Sequence, residues 1–231
     1  MNTNKKIATI VGVLFMISTI AGILSMFVFL GPILADPDYL GNVSANKNQA
    51  VIGMLLDLIC AGAFVGLAVV IFPILKKHNE SIALGYVVAR TLEAVPFVIG
   101  AISLLSLITL SQEYVQAAAL DASFQTLGNS LLAVRSWTDL LGARVFASIA
   151  ALPFYYLLYQ TKLLPRWISV WGFVGAPMYL ASGLLPMFGL DPLSPIIIVL
   201  GIPAAVLEMV LAVWLTVKGF SSSTITSESA K

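Results

Sequence analysis

The chain has 231 residues, of which 59% are hydrophobic and only 10% charged, and its net charge is +1. A soluble domain has roughly 45–50% apolar and about 25% charged residues, so this composition excludes a soluble globule and indicates a protein embedded in lipid. The near-neutral balance offers no basic face for nucleic acid. With one cysteine, Cys60, and one histidine, His78, the chain has no intrachain disulfide and no histidine–cysteine zinc site.

Six apolar stretches are each long enough to cross a bilayer as a helix, which takes about 20 mostly apolar residues. They lie at about 7–30, 50–75, 82–110, 131–159, 168–188 and 195–217. The first stretch is interpreted as a retained helix, because it is longer than the apolar core of a signal peptide and no A-x-A cleavage site closes it. The pattern predicts an all-α fold: one bundle of six transmembrane helices over residues 1–220, followed by a disordered cytoplasmic tail at 221–231.

Lysine and arginine are concentrated in every second connection between the predicted spans. One side carries the set Lys5, Lys6, Lys76, Lys77, Lys162, Arg166, Lys218 and Lys231, whereas the three connections on the other side contain only Lys47. Cytoplasmic loops of membrane proteins are enriched in these residues. The alternation therefore predicts a multi-pass protein of the cell membrane with both termini in the cytoplasm.

Six ionisable residues fall inside the predicted spans, and together they form the candidate site. Each charge at the centre of a bilayer costs at least about 2.5–3.5 kcal/mol on insertion scales, so these side chains are expected to face the bundle interior and to interact there. The proposed intramembrane charge network consists of Asp57, Arg90, Glu93, Asp139, Arg144 and Glu208.

Spacing along the helices suggests partners for some of these charges. Arg90 and Glu93 are three residues apart and share a helix face, so they are predicted to pair. Asp139 follows Arg135 by four residues and can reach back to it. Arg144 has no partner on its own helix, and it is predicted to pair with Glu93 or Glu208, which lie at a similar estimated depth.

Three interpretations of the charge network are open. In the preferred one, the network organises a non-enzymatic bundle, which can also bind a small ligand or another membrane protein; no catalytic residue, metal or cofactor is predicted. In the alternative, Glu93 and Glu208 serve a proton- or ion-coupled small-molecule transporter. The third is an intramembrane enzyme, suggested by the ASG sequence at 181–183, but no span contains a histidine that could activate Ser182.

Several segments together resemble a known family. They are KKIATIVGVLFMISTIAGILS near the start, ARTLEA at 89–94, FYYLLYQTKLLPRW at 154–167 and LEMVLAVWLTVKGF at 207–220. The chain is similar to a bacterial six-span membrane family catalogued as domain of unknown function 4386. The resemblance implies an integral protein of the cytoplasmic membrane with six spans and no established activity. It also implies that the polar positions typical of the family are occupied here by Arg90, Glu93, Arg144 and Glu208.

Overall fold

The computed structural model describes residues 3–117 and 122–221. Within these residues there is no strand, and six helices are long and apolar enough to cross a membrane. The spanning helices, with one short helix between the first two, are α1 (Asn4–Leu34), α2 (Tyr39–Ala45), α3 (Lys47–Leu75), α4 (Glu80–Gln116), α5 (Ala122–Thr161), α6 (Arg166–Phe188) and α7 (Pro195–Val217). The predicted six-span all-α fold is confirmed. Of the predicted tail, only Ser221 lies within the described residues.

The six spanning helices form a ring in chain order. Each of them packs against the next, from α1 and α3 through to α6 and α7, and α7 packs back against α1. Both described chain ends, with the short connections after α3 and α5, lie at one end of the bundle, here called the terminal end. The α2 segment and the connection between α6 and α7 lie at the opposite end. A ring of six helices leaves space at its centre, and this space holds the candidate site.

Apolar side chains face outward and the charged pair lies inside the bundle, as a lipid environment requires. Large apolar side chains cover the outer faces, among them Phe27 and Val217, each 67% exposed, while Arg90 and Glu93 are buried. Two apolar cores hold the ring together. One, at the terminal end, is built around Phe15, Leu67 and Phe154, and the other, at the opposite end, is built around residues that include Leu40 and Leu104. Since lipid chains are themselves apolar, close packing rather than the hydrophobic effect joins these helices.

The largest differences from the sequence prediction are the short helix α2 and the start of α5. The short helix α2 was expected to be a loop, because seven residues are too few for a spanning apolar run. The Asp38 side chain caps this helix by accepting a hydrogen bond from the Gly41 N–H at 3.3 Å. Helix α5 begins at Ala122, nine residues before the predicted start. The prediction followed the apolar run and missed the first turns of the helix, because these turns are polar. At 40 residues it is about 60 Å long and extends beyond the hydrocarbon layer. There the Tyr39 hydroxyl donates to Asn129 Oδ1 at 3.0 Å, which ties α2 to α5.

Candidate functional site

A cavity of about 580 Å³ lies at the centre of the ring. All six spanning helices line it, and so do all six charged residues predicted from the sequence. Arg135 lines it as well. The structure therefore brings the predicted charges together in one place, although it pairs them differently from the sequence prediction.

Arg90 and Glu93 form a closed ion pair, as their spacing predicted. The Arg90 Nη1 atom donates to both carboxylate oxygens of Glu93, at 2.8 and 3.0 Å, and Glu93 is 0% exposed. The Arg90 Nε atom donates to the Tyr86 hydroxyl at 3.3 Å, and the guanidinium lies 4.9 Å from the centre of the Phe64 ring. Tyr86 in turn stacks on Phe154 with 4.8 Å between ring centres. Hydrogen bonds and aromatic rings thus surround most of this pair, and its remaining side lines the cavity.

A second ion pair joins two helices. The Arg135 Nη2 atom of α5 lies 2.8 Å from the Asp57 Oδ2 atom of α3. The predicted contact between Arg135 and Asp139 is wrong, because the structure shows no ion pair between them. A base that precedes an acid by four residues is the less favourable order on a helix, and the neighbouring helix supplies a carboxylate at closer range.

The predicted pairing of Arg144 with Glu93 or Glu208 is also wrong. In the described part of the chain Arg144 forms no ion pair, and its Nη1 atom donates to the Ser182 carbonyl oxygen at 3.2 Å. That carbonyl would normally accept a hydrogen bond from the amide four residues later, but residue 186 is a proline and has no N–H. The proline therefore frees the carbonyl that Arg144 binds.

Close packing brings Arg144 to this position. A Cβ atom added at Gly183 would lie 2.9 Å from the Arg144 Cβ atom, so only glycine allows α5 to approach α6 so closely here. The backbone of α5 forms a π-helical segment over Leu140–Phe146, and α1 contains a second one over Leu24–Leu30. Both segments contribute residues to the cavity wall. Such wide turns within helices occur frequently at functional sites.

Within the described residues, Glu208 forms no ion pair. Its Oε1 atom lies 3.4 Å from the Ser18 and Thr19 hydroxyl oxygens. Each hydroxyl has a single proton, and each lies closer to the Phe15 carbonyl oxygen, at 2.9 Å for Ser18 and 3.0 Å for Thr19. These two protons are therefore directed chiefly to the backbone of α1, and the Glu208 carboxylate faces the cavity with weak hydrogen bonds only.

Asp139 is the second open carboxylate. It is exposed to the cavity, and among the described residues the structure gives it no hydrogen bond through its side chain and no ion pair. Together with Glu208 and Arg144, Asp139 makes a set of three ionisable side chains without an ion pair. We call these three residues the open set. Two carboxylates and one guanidinium give the open set a formal charge of −1.

The cavity wall is otherwise apolar and aromatic. Five aromatic side chains line it: Phe15, Phe64, Phe97, Tyr155 and Tyr179. Within residues 3–117 and 122–221 there is no group of three or more histidine, cysteine, aspartate or glutamate side chains placed to hold a metal ion. Such a site suits a small molecule with an apolar body and a group that can donate hydrogen bonds to carboxylates.

Some parts of the site had no usable signal in the sequence. Ser18 and Thr19 are small hydroxyl residues in an apolar span, and such residues usually bond to their own helix backbone. The Ser182 carbonyl could have been found, because a proline four residues later identifies any carbonyl that lacks its helical partner. The aromatic wall could not be separated from ordinary packing residues by sequence alone.

Comparison with known proteins gives a family and no activity. A family model described as a domain of unknown function (DUF4386) matches residues 10–219. No curated protein and no solved structure matches the chain. The matched region includes all six spanning helices in whole or in large part, together with every charged residue of the cavity. The resemblance seen in the sequence is thereby confirmed, and the chain belongs to the DUF4386 family of membrane proteins.

Proposed function

We propose that this chain is a non-enzymatic, multi-pass protein of the bacterial cytoplasmic membrane, with both termini in the cytoplasm, that binds a small amine with an apolar body in its central cavity. The observation that carries the proposal is the Glu208 carboxylate, which faces the cavity and forms no ion pair with any described residue. A charge removed from water is costly unless it is paired and hydrogen-bonded. A ligand ammonium group supplies both the charge and the N–H donors that the protein leaves out.

The remaining members of the open set support a cationic ligand over an anionic one. Asp139 adds a second carboxylate without an ion pair, whereas Arg144 already donates to the Ser182 carbonyl. The two ion pairs, Arg90 with Glu93 and Arg135 with Asp57, are each balanced. The charge that remains for a ligand to neutralise is therefore negative.

The walls and the size of the cavity favour a ligand that is mostly apolar. Aromatic rings bind apolar surface, and their negative faces also attract cations. A volume of about 580 Å³ falls within the range of about 300–1,000 Å³ that is typical of small-molecule sites. Gly31 and Leu34 of α1 and Leu132 of α5 continue the lining toward the opposite end of the bundle. We propose that the ligand enters from that end.

The test compares three compounds of similar size: 2-phenylethylamine, 2-phenylethanol and 3-phenylpropanoate. The melting temperature of the purified protein is measured in a neutral detergent by fluorescence-detected size exclusion. We expect the amine to raise it more than the alcohol and the acid to raise it least. A charge-matched control is Glu113→Gln, which removes an exposed carboxylate from α4 away from the cavity.

The variant that decides this test is Glu208→Gln. It should weaken amine binding at least tenfold, which corresponds to about 1.4 kcal/mol, while Glu113→Gln should retain the wild-type response. Equal stabilisation by the amine and the alcohol in the wild-type protein would reject the proposal. So would an undiminished amine response in Glu208→Gln.

Proton-coupled transport of the same kind of ligand is a second candidate. Two carboxylates without ion pairs in one intramembrane cavity are suited to carry protons. Of the acids in the earlier transport hypothesis, Glu208 fits this role, whereas Glu93 is held by Arg90. If the protein is a proton-coupled transporter, proteoliposomes that contain it should take up the amine when a pH gradient is imposed. This uptake should disappear in Glu208→Gln. Binding without pH-driven uptake would exclude transport and retain the binding function.

The proposed orientation has its own test. Reporter fusions after the 76–79 connection, after the 162–165 connection and at both termini should all report the cytoplasm. A periplasmic signal from a fusion next to Lys76 would contradict the orientation that the lysine and arginine distribution predicts.

A further inference from the structure

A second concave site lies at the terminal end of the bundle, away from the central cavity. It has a volume of about 640 Å³ and is formed where the connection between α5 and α6 meets the end of α7. Three cationic side chains line it, Lys162, Arg166 and Lys218, and no acidic residue does. We call this site the basic cleft. We propose that the basic cleft binds the phosphate of an anionic lipid headgroup.

The backbone is shaped to gather these three cations. Lys162 has a φ of 54°, a left-handed conformation that ends α5 and turns the chain toward Pro165, the N-cap residue of α6. Gly219, with a φ of 74°, turns the chain after α7. The Ser221 N–H then donates to the Leu163 carbonyl oxygen at 2.9 Å, which fixes the two segments side by side. The cations thus come from three different element ends and surround one concavity.

The cations are available to an anionic ligand. In the described part of the chain none of the three forms an ion pair with a carboxylate, and all three are exposed. The Lys218 Nζ atom lies 4.3 Å from the centre of the Trp214 ring, and the Arg166 guanidinium lies 5.3 Å from the centre of the Tyr159 ring. These aromatic contacts position the charges, and no described residue accepts a hydrogen bond from the three side chains. Arginine and lysine are the usual ligands of phosphate groups.

The surroundings of the basic cleft favour a lipid phosphate over a free one. Trp214 and Trp167 pack edge to face with 6.1 Å between ring centres, and tryptophan is enriched at the headgroup level of membranes. Val217, directly before Lys218, is 67% exposed on the outer surface of α7, where an acyl chain would lie. Basic pockets at the cytoplasmic ends of membrane helices are known to hold anionic headgroups.

The test uses two double variants that remove the same charge from the same end of the bundle. Arg166→Gln with Lys218→Gln alters the basic cleft, whereas Lys76→Gln with Lys77→Gln alters the connection after α3, which does not line it. Each purified protein is titrated with dioleoyl phosphatidylglycerol, with dioleoyl phosphatidylcholine and with inorganic phosphate. Melting temperature and the number of lipids retained in native mass spectrometry are recorded.

We expect phosphatidylglycerol, but not phosphatidylcholine, to bind and stabilise the wild-type protein and the Lys76/Lys77 variant. The Arg166/Lys218 variant should bind it at least tenfold more weakly. Equal weakening in the two double variants would reject the basic cleft in favour of a diffuse surface charge. Equal stabilisation by inorganic phosphate would reject a lipid ligand. If the Arg166/Lys218 variant does not fold, Lys162→Gln, at an exposed position, provides the same test. None of these outcomes depends on amine binding in the central cavity.

Discussion

The cavity is lined by two kinds of intramembrane charge. Glu93 is 0% exposed and accepts two hydrogen bonds from Arg90, whose guanidinium lies near aromatic rings. Glu208 and Asp139 face the cavity, and neither forms an ion pair in the part of the chain that the structure describes. The two charges of the closed pair balance each other, so this pair leaves no net charge for a ligand to neutralise. The open carboxylates do leave one, and this contrast separates the structural part of the charge network from the part that can bind.

The energetics of the two parts should differ in the same way. Removing one partner of a closed pair leaves the other charge buried and uncompensated, which is strongly destabilising. Neutralising an open carboxylate removes a charge that the protein itself does not pair, so little stability depends on it. The predictions below follow this order, from the largest expected effect to the smallest.

The largest effect is expected for Glu93→Gln. The variant keeps the size of the side chain but leaves the Arg90 charge without its counter-ion, at an expected cost of about 3–5 kcal/mol. The melting temperature in detergent should fall strongly, and Arg90→Gln in the same chain should restore part of the loss. Glu113→Gln, on the same helix but exposed, is the control and should melt like the wild type. Unchanged stability in Glu93→Gln would show that the pair is not structural.

An intermediate effect is expected for Asp57→Asn. Its carboxylate joins α3 to α5 through Arg135 at 2.8 Å, and both side chains remain partly accessible, at 14% and 19% exposed. Losing a hydrogen bond to a charged group should cost about 1–3 kcal/mol. The free energy of unfolding of this variant, measured in a denaturant series, should lie between those of Glu93→Gln and the wild type. A loss as large as that of Glu93→Gln would mean that exposure to the cavity does not weaken an ion pair here.

The smallest effect on stability is expected for Asp139→Asn. Because the described residues offer this carboxylate no ion pair, replacing it with an amide should change stability by no more than about 0.5 kcal/mol, as is usual away from a paired or packed feature. Melting curves recorded beside those of Asp57→Asn provide the comparison. A drop of several degrees would reveal a partner for Asp139 and would remove it from the open set.

The sequence was sufficient for the fold and for six of the seven charged residues that line the cavity, but the prediction left out Arg135. Apolar runs long enough to span lipid can be recognised from the sequence by their length and composition. A charged residue inside such a run has to face the interior of the bundle. All six charges predicted on this ground line the cavity. The Arg90 and Glu93 pair was also predictable, because both partners are on one helix and their spacing fixes their distance.

Pairing between helices was not predictable in the same way. Arg135 binds Asp57 because α3 and α5 bring them within reach, and that distance depends on how the ring closes. Arg144 binds a carbonyl and no carboxylate, because Pro186 cannot supply the usual amide donor. The sequence gives the depth of a residue along its helix. A contact between helices also depends on the rotation of each helix and on its place in the ring.

The most direct test of the account compares Glu93→Gln with Glu208→Gln, each with and without 2-phenylethylamine. Melting temperature is measured for both variants and for the wild type under identical detergent conditions. The account predicts that Glu93→Gln melts well below the wild type but is still stabilised by the amine. It predicts that Glu208→Gln melts close to the wild type and does not respond to the amine. The reverse pattern, a destabilised Glu208→Gln beside a stable Glu93→Gln that has lost its amine response, would contradict the division between closed and open charges.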